Sequence, residues 1–247
     1  MNLISISPDS LRIALQRWEQ QARNGGWQHD PSKTVEQLAA ENAALMWSLL
    51  NGDDLGLPPI GTGYEGGYFA GLINQVDGLY GLVAAPKAQG DFRALWLSKE
   101  VEISGADSLH DGAANTRAMA EAGSPLAQRA LGLSINGHAD WYVPARDELE
   151  MVYRAFKPTA DDNARWCGDN CSSVPIGRAY LLQTPAQTTV PAFIAGAMEA
   201  LEPTWYWSSS QYSRLTAWLQ GFDVGNQLTS NKGYEGRARA VRRFKVQ

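Results

Sequence analysis

The 247-residue chain is poor in the side chains that build metal and redox centres: it has two cysteines and three histidines. Cys167 and Cys171 lie together in WCGDNCSSV, whereas a structural zinc site takes four ligands. Two free thiols, or a small loop disulfide formed outside the cell, both fit that spacing. His29, His110 and His138 are scattered. Basic excess is missing too. Twenty-one Lys and Arg stand against 26 Asp and Glu, a net charge of −5, which argues against nucleic acid as the main partner. No stretch approaches the roughly 18 consecutive apolar residues of a membrane span, so no membrane insertion is expected. The opening MNLISISPDSLRIALQRWEQ lacks the basic and apolar regions of a secretory leader, which points to a protein made in the cytoplasm. No Ser-His-Asp set, phosphate loop or zinc-hydrolase signature is present. The expectation is a non-enzymatic protein without cofactor or metal.

Rings, by contrast, are plentiful. There are nine Trp and nine Tyr, in a chain that is 44% hydrophobic and 19% charged. Large amphipathic rings fill cores, and they are also enriched in binding surfaces. They are densest in WYWSSSQYSRLTAWLQGF, residues 205–222, where they alternate with serines and almost no charge. Period-two spacing there reads as strands, with alternate rings in a core and alternate hydroxyls outward or locally bonded.

Texture divides the chain. Residues 1–56 read as a helical segment. Pro8 and Asp9 open a helix with Leu11, Ala14, Leu15, Trp18 and Ala22 on one face. A second helix starts at Asp30-Pro31 and carries Val35, Leu38, Asn42, Leu45 and Leu49. Their 3-4-3-4 spacing is that of a heptad seam with a buried Asn, or of an ordinary amphipathic helix packed on its own chain. NGDDLGLPPIGTG, residues 51–63, reads as a linker. From Tyr64 come two or three short strands with turns at Gly66-Gly67 and Asp77-Gly78. Helices are expected at 111–123, ended by Gly123, and at 141–156, with Leu149, Val152, Tyr153 and Phe156 buried. Residues 157–203 hold five prolines and read as irregular, apart from a short helix in FIAGAMEAL. The chain then closes in an antiparallel meander of YWSSSQ, TAWLQGFDV, NQLTSN and RARAVRRFKV. Strands and helices are segregated, so the class is α+β. In RARAVRRFKV, Arg237, Arg239, Arg243 and Lys245 are expected on one strand face. That face is either a basic strip for a polyanion or a solvated face with one arginine paired to Glu148 or Glu150.

Four blocks, GLYGLVAAP, ISGADSLHDGAANTRAMAEAG, NGHADWYVPARDELEMVY and YWSSSQY…AWLQGFDVG…RAVRRF, occur in that order and resemble the Lcl C-terminal domain family. The resemblance covers roughly 64–156 and 205–244. It implies a C-type lectin-like domain over 60–247, with twisted antiparallel sheets and two helices, related to formylglycine-generating domains. Residues 157–203 would be an irregular insertion. Trp207 and Ser208 would lie beneath the binding face, with Trp218 and Phe222 packed into the sheet. The related enzymes use a cysteine pair near the closing strands. Here 205–247 holds no cysteine, which argues against that chemistry. Calcium-dependent lectins read sugar through Glu-Pro-Asn or Gln-Pro-Asp. Here Glu202-Pro203-Thr204 lacks the amide, and no Trp-Asn-Asp follows. Asp161, Asp162, Asp169 and Asn170 are oxygen-bearing side chains in one region, and also an ordinary polar loop.

The resemblance extends in fold to receptor-binding proteins of phage tails, so the expected role is a phage tail fibre or tail-tip protein. It would be made in the host cytoplasm, carried in the virion, and bind a host cell-surface receptor: a glycan, a pilus or an outer-membrane protein. Residues 1–56 would attach it to other phage tail proteins or make a homotrimer through the seam. The ligand-binding group would be Gln211, Tyr212, Ser213, Arg214 and Thr216, with Asn226, Gln227, Thr229, Asn231 and Tyr234, types found in adaptable recognition loops. A structural tail or baseplate component, and a bacterial lectin-like surface protein, are the alternatives.

Overall fold

The computed structural model describes residues 56–164 and 168–246. The expected helices of residues 1–50, the seam residues Val35, Leu38, Asn42, Leu45 and Leu49, and Cys167 lie outside them. The described chain is α+β, as expected. Its first sheet joins β1 (Gly63–Tyr64), β2 (Gly67–Gln75), β3 (Gly78–Ala84) and β10 (Val241–Lys245), with β5 (Ser173–Val174) also on β2. The second has the order β4 (Asp91–Leu95), β9 (Glu235–Arg239), β6 (Trp205–Gln211), β7 (Thr216–Gly221), β8 (Gln227–Asn231). All pairings are antiparallel except β6 with β9.

Two cores lie on opposite faces of the central strands. Leu82 and Ala84 of β3 enter one core, and Val83 enters the other. Tyr206 and Trp207 of β6 divide in the same way. Strands buried on both faces do not need polar alternation, which explains the continuous apolar run in GLYGLVAA. The serines of β6 follow the same rule, so of the two placings expected for them, outward or hydrogen-bonded, the outward one is not taken. Ser208, Ser209 and Ser210 are all buried. Ser208 donates to Trp218 O (2.9 Å) and Ser210 to Ser108 O (2.6 Å), so these two hydroxyls are satisfied across the fold.

Four α-helices are described where the sequence suggested two longer helices and one short one. α1 is the single turn Lys87–Gly90. α2 (Gly112–Glu121) is capped by Asp111, whose carboxylate accepts the Ala114 N–H, and it stops before Gly123 at φ +89°. α3 (Pro125–Leu131) follows at once, with Ser124 as cap and Pro125 in its first turn. α4 (Arg146–Phe156) buries Leu149, Val152, Tyr153 and Phe156. It ends where Lys157 turns extended ahead of Pro158.

Residues 157–203 are irregular but integral. Tyr180, Phe193 and Leu201 all enter the first core. The helix expected in FIAGAMEAL is only a 3-10 turn, Pro191–Phe193. Ile194 is extended and Gly196 has φ +87°, so no helix continues.

The closing segment is not a meander. β6, β7 and β8 are joined by turns, but β9 lies between β4 and β6, and β10 crosses to the first sheet. The change comes at Ala240, whose N–H donates to Gly90 O (2.8 Å) while its carbonyl accepts from Ala85 N–H (2.9 Å). Arg237 and Arg239 therefore sit in one sheet, Arg243 and Lys245 in the other, and no single basic face exists. Each is paired: Arg237 with Asp91 (2.8 Å), Arg239 with Glu199 (3.6 Å), Arg243 with Asp111 (3.0 Å) and Glu148 (3.8 Å), and Lys245 with Asp77 (3.2 Å). Arg239 is fully buried.

Candidate functional site

The turns after β6 and β8 lie at the same end of the second sheet. Thr216 pairs with Asn231 in the β7–β8 register, and Lys232 N–H donates to Leu215 O (3.0 Å). Two large rings stand out there, Tyr212 at 63% exposure and Tyr234 at 65%, with Arg214 also exposed. Ser213 and Thr216 are occupied locally. The Ser213 hydroxyl accepts the Leu215 and Thr216 N–H groups (3.2 and 3.1 Å) and shares a hydrogen bond with the Thr216 hydroxyl (2.9 Å). Asn231 accepts the Gly233 N–H (2.7 Å), shaping the second turn.

From that end a strip runs along one face of β7 and β8. Trp218 and Thr229 are cross-strand partners and share it. Trp218 does not pack into the sheet interior as expected; it is half-buried. Its ring meets Tyr212 edge-on, with centroids 5.3 Å apart, and the Arg146 guanidinium lies 5.4 Å from its centroid. Gln227, paired with Gln220 on the same face, donates to Arg146 O (3.3 Å). Phe222, in contrast, is buried as expected.

The strip ends in a polar cleft of about 70 Å³ lined by Arg146, Asp147, Glu150, Gly168, Asp169, Asn170 and Gln227. Its charges are largely engaged from within. Asp147 takes Arg146 (2.9 Å) and the Ser172 hydroxyl (2.7 Å). Glu150 accepts from Asn170 (2.7 Å) and Tyr180 (2.7 Å) and pairs with Arg154. Burial raises the pKa of Glu150, against the pull of Arg154. Asp169 pairs with Arg178 (3.0 Å). Asp169 and Asn170 are therefore spent on protein partners, and Asp162 accepts from Gln183. Among the described residues, no group of three or more His, Cys, Asp or Glu is placed to hold a metal ion.

Two members of the sequence-derived group fall outside this surface. Gln211 is only 6% exposed. Its amide donates to Ile103 O (2.6 Å) and accepts from Ile103 N–H (2.9 Å) and Lys232 Nζ (2.9 Å), so it is an internal tie and not a contact residue. Asn226 belongs to the opposite turn, where its carbonyl accepts Gly221 N–H (2.9 Å). Gln227 and Asn231 are themselves four residues apart on β8, or about 13 Å. The group is thus a strip and not one cluster.

Sequence reasoning missed Arg146, Trp218 and Lys232. Arg146 reaches the strip from the start of α4, a juxtaposition of elements more than 60 residues apart. Trp218 carried the signal of any strand tryptophan, which reads first as core.

No protein-family model matches the chain. No curated protein matches it in sequence either.

Proposed function

We propose that the chain is a non-enzymatic phage tail fibre or tail-tip protein of the Lcl C-terminal domain type. On this reading a C-type lectin-like domain binds a host cell-surface receptor through the outer end and strip of the second sheet. The observation that carries the reading is the pairing of exposed Tyr212 and Tyr234 with short turns that are hydrogen-bonded into the frame. Exposed rings on a preordered surface lose little freedom on binding and bury much area. Arg214 beside them, and Arg146, Trp218 and Thr229 along the strip, add charge, a further ring and a hydroxyl to the contact. Residues 1–56 serve attachment to other tail proteins or assembly as a trimer, and the protein is carried in the virion.

The test is staining of a panel of bacterial strains with fluorescently labelled protein. A subset of strains should be stained, and Tyr212→Ala or Arg214→Ala should abolish staining while melting stays unchanged. A panel left wholly unstained, or staining indifferent to both substitutions, would refute the reading.

A further inference from the structure

Lys232 follows β8 and is 1% exposed. Among the described residues, no carboxylate lies within ion-pair distance of its ammonium. Instead Nζ donates to Val101 O (3.1 Å) and Gln211 Oε1 (2.9 Å) and lies 4.8 Å from the centroid of the Trp96 ring. Its backbone ties one further segment and holds the first again: the N–H donates to Leu215 O (3.0 Å), and the carbonyl accepts from Leu97 N–H (3.0 Å). One residue thus joins the 96–103 loop, the end of β6, the β6–β7 turn and the β8–β9 turn. Val101, Tyr212, Leu215 and Tyr234, all exposed, lie on these segments within two residues of its contacts or of Lys232 itself.

A buried ammonium with no carboxylate at ion-pair distance is costly, and the oxygens it engages offset only part of that cost. Burial accordingly lowers its pKa to about 8, against the pull of Glu102. Methionine would fill much of the same space without that cost. A lysine in this place supplies what methionine lacks: two directional donors that fix two separate strands of chain. We infer that Lys232 is a positioning residue, a clamp that sets the geometry of the exposed end of the second sheet. That this end is the receptor-binding surface rests on the function proposed above; the clamp itself does not.

The experiment is hydrogen exchange followed by mass spectrometry on the full chain and on Lys232→Met. Amides of 97–106 and 212–216 should exchange about tenfold faster or more in the variant, with β2 and β3 unchanged. Gln211→Leu cuts the same clamp from the acceptor side and should loosen the same two segments. Unchanged exchange there, or a uniform rise across the protein, overturns the inference. Failure of both variants to fold would mark the contact as general support of the core, and overturns it too. If the unmodified chain stains no strain while the exchange pattern appears, the receptor reading fails and the clamp stands.

Discussion

The Tyr142 hydroxyl donates to Glu148 Oε1 at 2.7 Å in a place where Glu148 is wholly buried. The other carboxylate oxygen accepts Gly112 N–H (3.1 Å) and Ala145 N–H (2.8 Å), and Arg243 approaches to 3.8 Å. One side chain therefore joins α2, α4 and β10, and holds the start of the helix that carries Arg146.

Burial raises the Glu148 pKa to about 7, with Arg243, Ala145 N–H and Tyr142 opposing. The folded state binds this proton more tightly than the unfolded chain does. The Glu148 contribution is therefore fully present below the unfolded value and is lost as pH rises from about 4.5 to 7, by roughly 3 kcal/mol at most. Asp111, Asp77 and Asp140 are shifted the other way, so their contributions disappear in acid. Urea titrations across this range should show Glu148→Gln flattening the loss between pH 5 and 7. Glu148→Ala strands three donors and Arg243, and should cost about 3–5 kcal/mol at pH 5, a cost that shrinks as pH rises to 7 and the Glu148 contribution is lost.

Gly225→Ala tests the turn between β7 and β8. Gly225 has φ +78°, and an added Cβ would lie 2.5 Å from the Tyr153 ring and 2.6 Å from that of Tyr180. Both rings are buried and stacked on each other, so neither can yield cheaply. Strain and overpacking together should cost about 2–4 kcal/mol in denaturant unfolding.

Much of this frame was legible in local patterns. Asp111 and Gly123 bracket α2, and the 3-4 spacing of Leu149, Val152, Tyr153 and Phe156 marks α4. Ser124-Pro125 was an equally plain start for α3, but it follows Gly123 so closely that it reads as the end of α2. What local patterns do not contain is long-range pairing. The run from Glu235 to Lys245 reads as one strand, yet Ala240 exchanges hydrogen bonds with Gly90 and Ala85 and moves the chain between sheets. Arginines that alternate on paper thus lie in different sheets. The same limit explains why Gln211 leaves the candidate surface: Gln211 and Tyr212 are neighbours in sequence, one turned inward to Ile103 and Lys232, the other outward.

Residues 57–247 should fold without the preceding segment. Among the described residues, the two cores draw on side chains from Ala70 to Val241, and Phe69 packs against Tyr64 and Phe244. A chain starting at residue 57 should melt in one cooperative transition within a few degrees of the full chain. Light scattering on the two proteins then asks what residues 1–56 do. A full-length trimer and a monomeric fragment are expected if the seam is a clasp; a full-length monomer refutes the trimer in solution.

Gln211 and Tyr212 offer the sharpest separation of frame from surface. Gln211→Ala removes three buried hydrogen bonds and leaves the Lys232 ammonium with one fewer acceptor, which should cost about 2–4 kcal/mol. Tyr212→Ala removes a mostly exposed ring whose described ring contact is Trp218, and should change stability by less than about 1 kcal/mol. On a strain that the unmodified protein stains, the order reverses. Tyr212→Ala should lower affinity at least about tenfold, the usual scale for a central aromatic contact. Gln211→Ala, measured well below its melting temperature, should lose affinity only as far as its turn loosens. Equal losses of stability and staining for Tyr212→Ala would make the ring a packing element and remove it from the binding surface.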